Sequence, residues 1–438
     1  MSNIKTSSHS TKFANITKRD NLSIFIDEYG RVAQLVVDYI WNNGYEWEDN
    51  KGNHLFSVKD NELYFPSMMK GDIIAKIGID TFLTARALKC LLTQVAGMIS
   101  AECEKQRKRI YILNRKKDEG KTKTQRKLLA TRLKQNIPQK LNCSNINAEL
   151  NSICCDFVKT NGEFDGYLRL KSITKTKTEI KLPIKFHKHS KELADTREML
   201  NSFLISKSSV NIRWRKDLPP KKTSGEILGC DQGMKAVLTC SDKQVTPTVD
   251  IHGHSLESIM IKLAVKKKGS NKFKQAQDHR TNFINWSINQ LNLDNIKEVR
   301  LERIWNIGYK SKTNRLMSHW TNTIIRDKVI SICEETGVQL IHQASTYMSQ
   351  RCSDCGVVRK ANRKGKVYSC KHCLLEIDAD YNASLNHSMN LPEIPYTLRK
   401  LQLNRGNGFY WSETGFFEFE TGRSLQSLPL VESLNHFN

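Results

Sequence analysis

The spacing of apolar residues changes along this chain, and the changes divide it. Residues 1–18 are rich in Ser, Thr and Lys and read as frayed, with at most a short strand at 12–16. Over 21–43, Leu22, Phe25, Tyr29, Val32, Val36, Tyr39 and Ile40 recur at helical spacing. Residues 44–70, with Gly44, Gly52 and Pro66 among polar neighbours, read as an irregular connection. Helical spacing returns over 73–103 and runs into a basic segment. Pro138 and the asparagine-rich stretch 142–147 break it, and the period shortens to two. Residues 154–158, 167–173, 179–186 and 210–214 read as strands between polar turns. Several short strands at that spacing predict a small β-barrel. Pro219, Pro220, Lys221 and Lys222 make a linker into a further domain.

Charge narrows the class of partner. Lys and Arg total 69 against 45 acidic residues, a formal charge of +24. Such an excess points to a polyanion, nucleic acid above all, whose phosphates release counterions on binding. Between positions 101 and 140 there are 14 basic and 4 acidic residues, with Ile110, Tyr111 and Leu113 among them. A short run of this kind is a solvated helix face; one this long reads as a phosphate-backbone contact. The strand-rich region carries Arg169, Lys171, Lys181, Lys185 and Arg213 at polar positions, which extends the same reading. No apolar run has transmembrane length and the polar start shows no signal peptide, so the expectation is a cytoplasmic protein with no membrane partner. At 438 residues the chain has room for two or three domains.

Twelve cysteines split into two groups. Cys352, Cys355, Cys370 and Cys373 form two C-x-x-C pairs separated by 14 residues. Each pair bends two thiolates onto one cation, and together they complete a tetrahedral sulfur shell that suits structural zinc. Basic residues between the pairs (Arg359, Lys360, Arg363, Lys364, Lys366) suggest a finger facing nucleic acid. The other eight are scattered in apolar or mixed contexts and read as reduced, buried thiols.

Three acidic residues draw notice for where they fall. Residues 226–240 read as an apolar strand ending at Asp231, a turn at Gln232-Gly233, and a returning strand at 236–240. Glu302 sits in the short strand 299–304, and Asp380 stands at the head of a helix through Asn386. Singly, Asp231 reads as a turn cap, Glu302 as a surface residue and Asp380 as a helix N-cap. Jointly, acids from an early strand, a later strand and a late helix suit phosphodiester hydrolysis with two divalent cations. Mg²⁺ takes oxygen ligands, one ion activating water and the other steadying the leaving oxygen.

With those residues assembled, the chain resembles the TnpB family of transposon-encoded RNA-guided nucleases and the related miniature type V CRISPR effectors. The matching pieces are residues 227–235, Leu301-Glu302, residues 346–356 and 380–384, with 314–319 and a helix over 320–337 resembling the segment before the zinc ribbon. The likeness is firm over about 225–390 and looser over 10–222. It implies an α+β multidomain fold: a first wedge strand within 1–18, a helical recognition lobe at 19–140 and a wedge β-barrel at 141–222. A RuvC-type, RNase H-like nuclease domain at 223–345 and 378–392 would follow, with a zinc ribbon at 346–377 inserted in it. Asp231, Glu302 and Asp380 would hold two Mg²⁺, one zinc would sit on the four cysteines, and guide RNA and target DNA would be the partners. The implied activity is RNA-guided, Mg²⁺-dependent DNA cleavage. The rivals are a guide-dependent DNA binder that cuts nothing and a strand-transferring transposase. Two departures stand out: Cys230 occupies a branched apolar position, and Glu302 is followed by Arg303-Ile304 where Asp-Leu is common. Asp378 is a nearby rival to Asp380. The tail 393–438, with Phe409, Tyr410, Trp411, Phe416, Phe417 and Phe419, has no counterpart and suits a packed hairpin, a partner-binding segment or a self-association surface. Oligomeric state stays open.

Overall fold

A computed structural model describes residues 2–43, 45–48, 54–57, 73–118, 140–176, 179–304 and 322–425. The chain is α+β and divides into two compact units, 2–216 and 217–438.

In the N-terminal unit, strand β1 (Ser2–Ser10) precedes the long helix α1 (Ile16–Asn42). The expectation of a frayed start with a strand at 12–16 is corrected here. Residues 11–13 form a 3-10 turn and Asn15 caps α1 by accepting from the Lys18 N–H, so the strand ends at Ser10, before the residues expected to be extended. The preceding polar residues are extended because their partners are internal. The Trp214 indole N–H donates to Ser7 Oγ at 2.7 Å, and Ser7 Oγ lies 2.9 Å from His9 Nε2. A hairpin, β2 (Tyr45–Glu48) with β3 (His54–Ser57), falls within the region expected to be irregular; most of 44–70 lies outside the described residues. The helical stretch 73–103 is interrupted. Short α2 (Ile73–Ile77) ends at Gly78, whose φ of +71° suits glycine, and α3 (Ala85–Asp118) follows. The basic segment 101–140 continues α3 as far as Asp118; residues 119–139 lie outside the described residues.

Strands β4 (Ala148–Asn151), β5 (Cys155–Lys159), β6 (Gly166–Leu170) and β7 (Ile180–Ile184) follow, then α4 (Lys188–Thr196), β8 (Glu198–Ile205) and β9 (Ser209–Asp217). They form one sheet in the order β1-β9-β8-β4 and another in the order β5-β6-β7. A single apolar cluster runs from Phe25 and Val36 of α1 through Leu91 and Val95 of α3 to Leu168, Leu182 and Phe203 of the strands. Helices and strands here share one core.

The C-terminal unit is built on β10 (Glu226–Gln232), β11 (Leu238–Cys240), β12 (Ile296–Arg303) and β13 (Gln339–Ala344), in the order β11-β10-β12-β13. The β10–β11 pair is antiparallel; β10–β12 and β12–β13 are parallel. Leu228, Gly229 and Cys230 are buried in succession, as a strand covered on both faces requires. Helices α5 (Leu256–Ala264), α6 (Asn271–Ile288) and α7 (Asn322–Thr336) connect the strands. The segment 305–321, which includes 314–319, lies outside the described residues.

After β13 come the two cysteine pairs, carried by short strands β14 (Val357–Val358), β15 (Arg363–Lys364), β16 (Val367–Ser369) and β17 (Glu376–Asp378). Helix α8 (Ala379–Ser388) then returns to the sheet. It lies so close to β10 that a Cβ on Gly229 would stand 2.1 Å from the Ser384 carbonyl oxygen. Beyond α9 (Tyr396–Lys400), β18 (Phe409–Ser412) and β19 (Gly415–Glu418) form a hairpin whose first strand pairs with β14. Phe409, Trp411 and Phe416 are buried there against Met348, Val358, Ile394 and Leu398. Of the readings open for the tail, residues 409–418 are a packed hairpin.

Candidate functional site

Asp231 lies near the end of β10, opposite Thr239 of β11, and is part of the strand rather than a turn cap. Glu302 lies one residue before the end of β12, and the register that sets Cys230 beside Leu301 brings the two acids to the same end of the sheet. The Gln232 side-chain amide donates to the Glu302 carbonyl oxygen at 3.0 Å and ties the strand ends together. Oxygens of Asp231 and Glu302 and a ring nitrogen of His387 lie within 4.8 Å of one another.

Asp380 arrives from α8. The cap of that helix is Asp378, whose Oδ1 accepts from the N–H of Asp380 and of Tyr381 at 2.9 and 3.0 Å. Asp380 is therefore a first-turn residue with its carboxylate released from capping. Its oxygens accept instead from Arg363, at 3.2 Å, and from Lys366. The nearest group of donors gathers Asp231, Glu302 and His387, with Asp380 beside it and bridged to the cysteine-bearing strands.

The electrostatics are those of carboxylates held together out of water. Burial raises Asp231 well above the usual carboxylate range; repulsion from Glu302 and Asp380 adds to this, while Arg363 and Lys366 oppose it. Burial also raises Glu302, to about 7, against the opposing Gln232 N–H and Arg363. His387 was not singled out from the sequence. It is fully buried, which lowers it to about 4, so its ring is neutral near pH 7. Its Nδ1 lies 3.2 Å from Gln343 Oε1, and its Nε2 has no hydrogen-bond partner. The one available signal was spacing: residues seven apart share a helix face, and His387 stands seven after Asp380.

Two acids and a neutral imidazole with an unpartnered buried nitrogen fit a divalent cation. Open grooves flank them. One, of about 520 Å³, is lined by Lys235, Lys243, Lys366 and Asp380; the other, of about 260 Å³, by Glu302, Arg303 and Arg326.

The four cysteines converge as their spacing predicts. Cys352 and Cys373 have sulfurs 3.5 Å apart and Cys355 and Cys370 3.6 Å apart, close to the ~3.8 Å edge of a tetrahedron with 2.3 Å zinc–sulfur bonds. The two turns match. Gly356 and Leu374, each following a second cysteine, have φ of +79° and +65° and donate back to the carbonyls of Cys352 and Cys370. Burial raises the Cys352 thiol to about 11, whereas at Cys370 the N–H groups of Cys373 and His372 overcome burial and lower it. The set can hold zinc. The remaining eight cysteines are buried and lie outside any disulfide.

Other residues join the cysteine turns to α8. Asn382 accepts from the Ser353 N–H at 3.0 Å and donates to the Arg351 carbonyl at 2.7 Å. Asn386 donates to the carbonyls of Met348 and Arg351 and accepts from the buried Arg351 guanidinium at 2.6 Å. These two asparagines, four apart on one helix face, set the position of the cysteine cluster relative to Asp380.

Residues 324–387, from α7 through the cysteines to His387, match the family described as Cas12f1-like, TNB domain. The CRISPR-associated endodeoxyribonuclease Cas12f1 of Sulfoacidibacillus thermotolerans is 30% identical over 115 residues, 26% of each chain. The protein of the same name from Syntrophomonas palmitatica (strain DSM 18709 / JCM 14374 / NBRC 102128 / MPA) is 21% identical over 213 residues, 48% of this chain and 42% of that one. The chain resembles the miniature type V effectors. It thus fits the TnpB-like resemblance read from its motifs, while spanning about a quarter of the first relative's length and under half of the second's. Among solved structures, a Cas12f1 complexed with sgRNA and target DNA aligns over 88% of this chain and 99% of that one, at 13% identity and a TM-score of 0.41. Among the described residues no helix is long and apolar enough to cross a membrane.

Proposed function

We propose that this protein is an RNA-guided DNA endonuclease of TnpB type. The observation that carries the reading is the meeting of Asp231 and Glu302, 71 positions apart in sequence, beside Asp380 and between grooves lined by lysine and arginine. In this reading the C-terminal sheet with α8 is a RuvC-type nuclease domain. The cysteine-bearing strands are a zinc ribbon, residues 141–222 a wedge barrel and residues 19–140 a recognition lobe for the guide–target duplex. Guide RNA and target DNA are the partners. The tail hairpin has no assigned role in the reaction.

Asp231, Glu302 and Asp380 would hold two Mg²⁺. Bound there, the ions would supply an activated water and charge stabilisation at the phosphate. The chain's own contribution is placement. The β10–β12 register fixes two carboxylates, Asp378 leaves Asp380 free of the helix cap, and Lys235 and Lys243 line the path of a phosphate backbone. Arg363 and Lys366 pair with Asp380, and their release on cation binding would leave two cations of the ribbon to meet DNA.

The test is to purify the protein with its copurifying RNA and supply matched DNA with Mg²⁺. Cleavage is expected, and Asp231→Ala should reduce it on the order of 10³-fold while nucleic-acid binding persists. Intact guided binding with no scission in the unaltered protein would make it a binder instead.

A further inference from the structure

A third set of side chains able to ligate a metal, also in the C-terminal unit, shares no residue with the carboxylate site or the cysteines. Asp250 stands in a loop closed by an isolated bridge between Val249 and Ser255. Its Oδ1 accepts from the backbone N–H groups of His252 and His254, both at 2.9 Å, which fixes the carboxylate. Its Oδ2 lies 3.4 Å from His254 Nδ1. From α6, His279 brings its ring edge-on to that of His254, with centroids 4.9 Å apart. One ligand atom from each of Asp250, His254 and His279 lies within 4.8 Å of the other two.

We propose that Asp250, His254 and His279 form a surface site for a d-block divalent cation of the zinc class. Two imidazole nitrogens and one carboxylate oxygen are a borderline-soft donor set. It favours Zn²⁺ or Co²⁺ over Mg²⁺, which prefers oxygen, and three protein ligands leave a coordination position open. Coordination needs neutral imidazole. Burial, the largest influence on His279, favours that form. Lys262, Lys266 and Lys272 line a depression shared with His279 and oppose a bare cation. Salt screens exposed charges over a Debye length of about 10 Å at 0.1 M, so they weaken the site without abolishing it. The same lysines favour an anion, such as phosphate, at the open position.

The experiment uses the full chain with its cysteine site already zinc-loaded and excess Mg²⁺ present to occupy the carboxylates. Co²⁺ is then titrated and read by its d–d absorption. The expected result is one further equivalent without a thiolate charge-transfer band, its affinity falling at least about tenfold in His254→Ala and in His279→Ala. Retained zinc on the cysteines reports that the variants are folded. Absence of the further equivalent in the unaltered chain, or uptake unchanged in both variants, overturns the assignment. Nothing in this test depends on nuclease activity.

Discussion

Gly229→Ala should move the candidate site without touching any of its ligands. A methyl group there would sit 2.1 Å from the Ser384 carbonyl oxygen, 2.4 Å from the Ser388 nitrogen and 2.8 Å from the His387 carbonyl carbon. All three are backbone atoms of α8 and its end, so no side chain can swing aside. Ordinary contact begins near 3.4 Å, and the helix must therefore retreat by about 1 Å, carrying Asp380 and His387 with it. Overpacking of this kind costs about 1–3 kcal/mol. At roughly 2–4 °C per kcal/mol for a domain near 200 residues, the melting temperature should fall by about 2–12 °C. A displacement of ~1 Å can cost on the order of 10²-fold in rate. Scanning calorimetry, Mn²⁺ affinity and cleavage of guide-matched DNA would read the three effects. Gly97→Ala in α3, where a Cβ meets nothing within 4 Å, is the control. Unchanged melting and unchanged Mn²⁺ affinity in Gly229→Ala would refute the claim that close approach of α8 to β10 sets the site.

The two neighbouring aspartates should separate by phenotype. Asp378→Ala should cost about 1 kcal/mol, the worth of an N-cap, and keep most activity, whereas Asp380→Ala should abolish cleavage with stability largely kept; the reverse pattern would exchange their roles. With Mg²⁺ withheld, stability should depend on pH in a defined sense. Glu302 is raised from 4.5 to about 7, so its contribution is present below about 4.5 and lost as pH rises through about 7. Excess Mg²⁺ should flatten that slope, and a melting temperature indifferent to pH from 4.5 to 7 would contradict it. Cys370→Ser should lower the zinc content of the purified protein and open 352–378 to protease before the rest of the C-terminal unit. The buried core there is Cys352, Tyr368, Cys370 and Ala379, with Cys355, Cys373, Leu375 and Ile377 packed against it, and four of these eight are the proposed zinc ligands. Equal zinc content in the variant and the parent would dismiss the four-cysteine site.

Short-range features were legible in the chain itself. The helical period over 21–43 appears as α1, the alternation at 154–158 and 179–186 as β5 and β7, and the paired C-x-x-C spacing as four converging sulfurs, because each depends on residues close in sequence, at most 21 positions apart across the cysteine cluster. Periodicity misplaces strand β1, at 12–16 instead of 2–10, because Ser7 and His9 carry no apolar alternation; they are buried by partners about 200 positions distant, Trp214 and the Lys185 carbonyl. The break at Gly78 and the transfer of the cap from Asp380 to Asp378 turn on backbone geometry that composition does not encode.

What the sequence determined alone was the inventory: a strong positive charge, four cysteines at metal-ligand spacing, and three acids at the ends of predicted elements. What only the tertiary structure decided was which of them meet. The β10–β12 register put Asp231 beside Glu302, close packing at Gly229 brought His387 to them with an unpartnered nitrogen, and Arg363 and Lys366 claimed Asp380. The reason is physical: pairing between strands and helix-to-sheet contact join residues tens of positions apart, and the spacing of a linear chain carries no measure of that distance.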